Sequence, residues 1–394
     1  MDRLTSAQAQ ALFEAGGFII ISDLPQGSEF GIDGTYHVTR RFSGIKFLPP
    51  GLHLITWSPP PSSTPGPSTI PIKSALLRIT KPKERLVLSY DTATESIATQ
   101  DTDQVSIISD DHVRTLDPEL APYPFNNSEK WSQLTNLIDE RILDEVVGPD
   151  GRVDGIMLVD GEEDELGELK KASLRNGKPL LDASKGEIKR LTFPKFDLRR
   201  SWRSGAVGDE VTRYSQDKSW LMGELIKKKF DNKYMRILSY LQLSFVLLLH
   251  LSSYSCLMVY KRFFALLTRS ADLLQSPSSY IDTGTTNDLA SLYTAFLRSL
   301  TAQFDALPET IFESELPEMD LFFLDELEYL RGNLGSGMVD WIADDRARIQ
   351  EAWKLLQGVV VKWRWDLKPI VVGEAVDDDD DIEDGEYAPV VVEE

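Results

Sequence analysis

Four histidines, one cysteine and a few paired carboxylates are all that this chain offers for chemistry. His37 and His53 fall in strand-like runs, His112 in a polar loop and His250 within a long apolar helix. None sits in an HExxH pattern or beside a cysteine, so a zinc site lacks its usual ligand set. Cys256 is the sole cysteine, which excludes a disulfide framework, a CxxC motif and a thiolate metal centre. Asp110-Asp111-His112 is the sharpest candidate, since carboxylate and imidazole together can ligate a metal. A metal-dependent hydrolase centred on the β-domain is therefore the enzymatic alternative. Adjacent residues rarely converge on one ion, however, and a solvated loop accounts for the same residues, as it does for Asp101 and Asp103. No GxxxxGK[ST] or GxSxG is present. Gly332, Gly335 and Gly337 do not follow a strand as a dinucleotide loop requires. The sequence predicts no enzyme, no cofactor and no metal.

The elements that would have to position such residues are of two kinds. Residues 4 to 15 read as a short helix ending at Gly16-Gly17. Phe18 to Ile21 is a buried strand, and Thr35 to Thr39, Gly44 to Leu48 and Leu52 to Trp57 are further strands, the last entered through the Pro49-Pro50-Gly51 turn. Ser58 to Pro71 holds six prolines; it is a surface insertion or a ligand for a proline-binding module. Ala75 to Thr80 and Arg85 to Tyr90 complete a set of strands spaced like those of an antiparallel sandwich or barrel. Trp131, Leu134, Ile138 and Ile142 recur at helical spacing, giving one or two helices over 128–147.

From Asp209 to Leu356 the pattern is helical, with breaks expected at Ser276-Pro277, Thr283-Gly284, Pro308, Pro317 and Gly332 to Gly337. Those breaks imply six or seven helices in an irregular bundle or solenoid. Ile237 to Tyr260 carries no fixed charge and is long enough to cross a bilayer. Its serines, Gln242 and His250 favour a buried helix instead. The expected class is α+β in two domains: a β-rich domain over 1–165, a linker over 166–206, a helical domain over 207–370 and an acidic tail over 371–394.

Charge narrows the function further. The formal net charge is −21, which argues against nucleic-acid binding, because phosphates are held by clustered Lys and Arg. Eleven acidic residues and no basic one lie between Val371 and Glu394. Like charges over Asp377 to Asp384 should keep that run disordered when free. Tyr387-Ala388-Pro389-Val390-Val391-Val392 follows, and a valine run at a chain end is strand-forming. Such a segment suits addition to an exposed sheet edge, the acid before it steering encounter with a basic surface. A solubilising tail is the plainer alternative. The N-terminus lacks a secretion signal, and the expected compartment is reducing and intracellular.

Several ordered motifs carry a resemblance. Gly27-Ser28-Glu29-Phe30-Gly31-Ile32-Asp33, Phe42-Ser43-Gly44-Ile45-Lys46 and Pro49-Pro50-Gly51-Leu52-His53 open the series. Lys81-Pro82-Lys83, Leu120-Ala121-Pro122-Tyr123-Pro124 and Trp131 with Leu134-Thr135 continue it. Asp217-Lys218-Ser219, Leu241-Gln242 with Phe245-Val246, Trp365-Asp366 and Asp384 to Val392 complete it. Together they resemble the AAR-two family of splicing factors, which assemble the U5 snRNP. The resemblance implies an N-terminal β-domain and a VHS-like helical domain. It implies a chaperone-like, mainly cytoplasmic role, with nuclear shuttling, on the spliceosomal scaffold pre-mRNA-processing factor eight. There the family member joins RNase H-like and endonuclease-like domains and delays docking of the snRNP helicase. It also places Leu241 to Val246 in a bundle helix rather than a membrane. Tyr387, Pro389, Val390, Val391 and Val392 are the expected partner-binding residues, in a monomer within a heteromeric complex that contacts neither nucleic acid nor membrane.

Overall fold

Four consecutive apolar residues, Phe18 to Ile21, need cover on both sides, and the fold supplies it. The computed structural model describes residues 6–60, 73–99, 110–160, 189–282, 284–316 and 319–373. In it β1 (Gly17–Ser22) is the middle strand of a five-stranded sheet. Ile19 and Ile21 point into one apolar cluster, Phe18 and Ile20 into another. A strand buried on both faces reads as a continuous apolar run rather than an alternation.

The other strands are β2 (Glu29–Ile32), β3 (Thr35–Val38), β4 (Gly44–Leu48), β5 (Gly51–Ser58), β6 (Ser74–Thr80), β7 (Arg85–Asp91), β8 (Ser96–Thr99), β9 (Leu120–Pro122) and β10 (Arg152–Asp154). They form two sheets, ordered β8-β7-β1-β4-β9 and β10-β6-β5-β2-β3. Phe30, Ile32, Ile55, Trp57 and Leu76 from the second sheet pack with Ile19, Ile45, Leu86 and Leu88 from the first, so the inner faces share one core. The outer face of the first sheet is closed by Phe13 of α1 (Ser6–Ala15) and by Val113 and Leu116 of α2 (Asp110–Leu116).

The second sheet is antiparallel throughout. The first is mixed, against the all-antiparallel expectation: β1 pairs parallel with β7, and β4 parallel with β9. Parallel neighbours need long connections, and here four strands of the second sheet lie between β1 and β7 in sequence or beside them. β2, β8, β9 and β10 are additional to the strands expected, being only three or four residues long. Helices α3 (Ser128–Thr135) and α4 (Glu140–Val146) occupy the expected 128–147 region.

Contacts divide the described residues into two compact units. The first holds those up to 160 together with 189–192 and 250–253; the second holds the remainder. The helical unit contains α5 (Asp209–Gln216), α6 (Ser219–Lys228), α7 (Arg236–Leu251) except its last two residues, His250 and Leu251, which belong to the first unit, α8 (Tyr254–Thr268), α9 (Ala271–Gln275), α10 (Pro277–Tyr280), α11 (Thr286–Ala306), α12 (Ile311–Ser314), α13 (Met319–Gly337) and α14 (Ala343–Val360). Those ten helices exceed six or seven in part because the apolar run from Ile237 to Tyr260 is two helices, turned at Ser252 with φ of 54°, and in part because α9, α10 and α12 are short helices of 5, 4 and 4 residues. No described helix is long and apolar enough to cross a membrane.

The expected break over Gly332 to Gly337 falls at the far end of that range: α13 runs through Gly332 and Gly335 and ends at Gly337. Gly335 and Gly337 also serve close packing. A Cβ on Gly335 would lie 2.7 Å from the Val371 carbonyl oxygen, and one on Gly337 2.6 Å from Leu274 Cβ. An aromatic core fills this unit: Tyr240 stacks on Phe263 at 5.8 Å, and Phe312 on Trp365 at 5.3 Å.

Candidate functional site

Three of the motifs quoted above converge on one buried carboxylate. Asp33 follows β2 with a φ of +50° and Gly34 continues at +79°, left-handed positions that Asp tolerates and Gly adopts freely. The turn carries the Asp33 side chain inward, to 1% exposure for the residue. Its Oδ1 accepts the Leu54 N–H at 2.9 Å. Its Oδ2 accepts the His53 Nδ1–H at 2.6 Å and the Tyr123 hydroxyl at 2.7 Å. The Asn127 amide donates to the Asp33 carbonyl at 2.5 Å, and the Trp131 indole to the Leu52 carbonyl at 2.6 Å.

His53 is fully committed as well. Its Nε2 faces the Pro49 carbonyl at 2.8 Å. Carbonyl and carboxylate oxygens only accept, so both ring nitrogens donate and the ring is an imidazolium. Burial is the largest influence and opposes the charge, but the hydrogen bond and charge of Asp33, with the Pro49 carbonyl, outweigh it. The His53 pKa is raised. Burial first, then the Asp33 charge, push the Tyr123 phenol upward, keeping it a donor.

Beside this hub the Tyr36 hydroxyl meets His250 Nδ1 at 2.8 Å, and the His250 ring lies 5.9 Å from that of Trp131. Burial, helped by Lys73, lowers the His250 pKa to about 4. A neutral ring therefore accepts from Tyr36. A Cβ on Gly34 would come within 2.9 Å of His250 Cε1, so that turn needs glycine for space as well as for φ.

The helical unit has its own hub at Asp217-Lys218-Ser219. The Asp217 carboxylate accepts the Ser219 N–H at 2.8 Å and the Asp272 N–H at 2.9 Å. Lys218, 1% exposed, donates from Nζ to Ser201 Oγ at 3.1 Å and to the Ser215 carbonyl. Burial and then Arg269 lower its pKa to about 8. Ser219 Oγ accepts the Leu273 N–H at 2.8 Å. Deeper in, Gln242 donates to Ser299 at 3.1 Å and Tyr260 to Gln303 at 2.7 Å.

These groups hold segments together rather than facing a substrate. His53 has no free lone pair with which to take a proton, and Asp33 is sealed beneath it. Asp111 and His112 are exposed and sit on α2, a helix where a loop was expected. Successive helix side chains point roughly 100° apart, so they do not converge. Among the described residues no group of three or more His, Cys, Asp or Glu could hold an ion. His37 is exposed on β3. Asp101, Asp103 and residues 61–71 of the proline-rich stretch lie outside the described residues, as do Tyr387, Pro389, Val390, Val391 and Val392. The convergence of Asp33, His53 and Tyr123 was not expected from sequence. A lone acid beside glycine in a turn carries no signal of what it will meet.

The fold and the two saturated hubs define an α+β protein of two units, a β-sandwich followed by a helical array, whose ionisable interior serves architecture. The AAR2 N-terminal domain matches residues 15–148 and the AAR2 C-terminal repeat region matches residues 193–368. The chain belongs to the AAR2 family. It is similar to the AAR2 homolog proteins of Mus musculus and Homo sapiens, at 25% identity to each, over 98% of this chain and 95% of theirs. The Caenorhabditis elegans homolog is 32% identical over 134 residues, which cover 32% of this chain and 34% of that protein.

Proposed function

We propose that this chain is a non-catalytic splicing assembly factor that chaperones the U5 snRNP scaffold, pre-mRNA-processing factor eight. The observation that carries the reading is the ordered match of both AAR2 domains, one to each unit. The saturated hubs support it, since they leave the recognisable residues with structural work. In this reading Tyr387, Pro389, Val390, Val391 and Val392 add a strand to the RNase H-like sheet of the scaffold, while the helical unit engages a neighbouring endonuclease-like domain. The snRNP helicase is thereby kept from docking early. The work is done mainly in the cytoplasm before nuclear entry, by a monomer within the complex and without direct nucleic-acid contact.

The test is a titration of the full chain against the isolated RNase H-like domain, compared with a chain lacking Asp384 to Glu394. Main-chain pairing and valine burial should make the deletion weaken binding more than tenfold, about 1.4 kcal/mol or more. Unchanged affinity would sink the strand-addition reading.

A further inference from the structure

The two sheets end in four edge strands, β8 and β9 in the first, β10 and β3 in the second. An edge presents unpaired N–H and C=O groups, and proteins ordinarily blunt it with charge, proline or cover. β9 carries Pro122. β10 carries Arg152 and Asp154, and Lys189 Nζ donates to the Arg152 carbonyl at 3.0 Å. β8 is largely covered, with Ile97 buried and Ser96 and Ala98 half-buried. β3 has none of these devices. Tyr36, His37 and Val38 are exposed in succession, Val38 at 71%, and no proline or fixed charge lies between Thr35 and Val38. The ladder shows which groups are open. The Asp33 N–H donates to the Leu54 carbonyl on β5, and the Thr39 N–H to the Ser28 carbonyl just before β2. Bonding direction alternates along an antiparallel pair. With Phe30 opposite His37 and Ile32 opposite Thr35, Thr35 and His37 direct their backbone groups to β2, and Tyr36 and Val38 turn theirs outward. Just past the strand stand Arg40 and Arg41, both exposed, and neither side chain is bonded to a described residue.

We propose that β3 is an acceptor edge for one strand of a protein partner, running antiparallel to β3, in which acidic residues immediately precede an alternating β-branched run. The outward backbone groups of Tyr36 and Val38 set the mode, main-chain pairing at a sheet edge. Val38 offers apolar cover to the incoming side chains. The strand is held ready for them: the Tyr36 hydroxyl meets His250 at 2.8 Å, and Lys73 lies 4.3 Å from the Tyr36 ring centre while pairing with Glu29 of β2 at 2.9 Å. Charge sets the direction. In an antiparallel pair the residues before the incoming strand lie beside those after β3, which are Arg40 and Arg41, and complementary charge there fixes register and orientation. Every other pairing in this sheet is antiparallel as well.

The inference does not rest on the strand-addition reading, in which this chain gives a strand; here it receives one, and the test contains no scaffold. The full chain is titrated with two synthetic peptides, one of three glutamates followed by alternating valine and threonine, the other with the same residues in reverse order. Amide exchange is followed residue by residue and corrected for intrinsic rates. In the free chain Tyr36 and Val38 should exchange about tenfold or more faster than His37 and Thr39, since only the latter are in the ladder. The acid-first peptide should protect Tyr36 and Val38, and the acid-last peptide should bind about fivefold or more weakly than it. Arg40→Glu with Arg41→Glu should weaken the acid-first peptide about tenfold. Val38→Pro removes an outward N–H at a position where an edge strand accepts proline, and should abolish the protection of Tyr36. The charge reversal, on exposed side chains, decides by itself if proline disturbs the strand. Preference for the acid-last peptide, or binding of neither, overturns the proposal. So does protection of Tyr36 and Val38 in the free chain that is lost on dilution, which makes a second copy the occupant, or on removal of 374–394, which makes the tail the occupant.

Discussion

His53 sets one ring nitrogen 2.6 Å from the Asp33 carboxylate and the other 2.8 Å from the Pro49 carbonyl, tying the β2–β3 turn to the entry of β5 with one imidazolium. Both partners are sealed from solvent, their side chains 3% and 0% exposed. Replacing one member of such a pair leaves the other charge buried and uncompensated, which costs about 3–5 kcal/mol. His53→Phe should therefore lower the stability of the β unit by that amount in urea unfolding. Adding Asp33→Asn to it should return part of the loss, because the stranded charge is gone. A double variant no better than the sum of its single changes would contradict this account.

The same pair sets a pH response. The His53 pKa is raised in the folded chain, above an unfolded value of about 6.5. Its contribution is thus complete below about pH 6.5 and fades as pH rises through the folded pKa, where the folded state releases the proton. Lys218 acts the other way in the helical unit. Its folded pKa is lowered to about 8, so the penalty for burying its charge is relieved as pH climbs from there toward about 10.4. Hydrogen exchange followed unit by unit, corrected for intrinsic rates, should show the β unit weakening above neutrality. The helical unit should gain above about pH 8. His53→Gln should flatten the first trend and leave the second.

How much of this was legible in sequence depends on range. Gly44 to Leu48 is the strand expected, residue for residue, since its alternation and flanking turns are local facts. The β1–β7 parallel pairing and the Asp33–Tyr123 bond, ninety residues apart, are not local. No periodicity encodes which distant strand or hydroxyl a residue will meet. Asp217-Lys218-Ser219 stood out only as part of a family pattern. Its burial follows from Arg269, Asp272 and Ser201, each more than fifteen residues away.

Gly337 shows a local signal only partly legible. Gly332 to Gly337 resembles a helix end by composition, and α13 does end there, but at its last glycine, with Gly332 and Gly335 inside the helix. Alanine normally stabilises a helix relative to glycine by about 1 kcal/mol. Here Gly337→Ala would drive a methyl group to 2.6 Å from Leu274 Cβ, and overpacking of this kind costs about 1–3 kcal/mol. The expected net is a loss, seen as a lower urea midpoint, whereas Gly358→Ala, with open space around it in α14, should be neutral or stabilising. A stabilised Gly337→Ala chain would mean that α9 and α13 are not in contact there.

The Arg269–Glu326 pair makes an asymmetric prediction. Glu326 is 0% exposed and accepts from Arg269 Nε at 2.8 Å, Arg269 Nη2 at 2.6 Å and the Thr268 hydroxyl. Arg269 keeps 21% of its side chain in solvent and lies over the Tyr329 ring at 4.6 Å. Losing Glu326 leaves a cation that water and an aromatic face still serve. Losing Arg269 leaves a carboxylate with only a hydroxyl. Glu326→Gln should accordingly cost about 1.5–3 kcal/mol, the range for a hydrogen bond to a charged group. Arg269→Met should cost about 3–5 kcal/mol. Chemical denaturation of the two variants at pH 7 decides the order. Equal losses would show that the pair is screened by water, and its burial would then not govern how the last turn of α8 is held against α13.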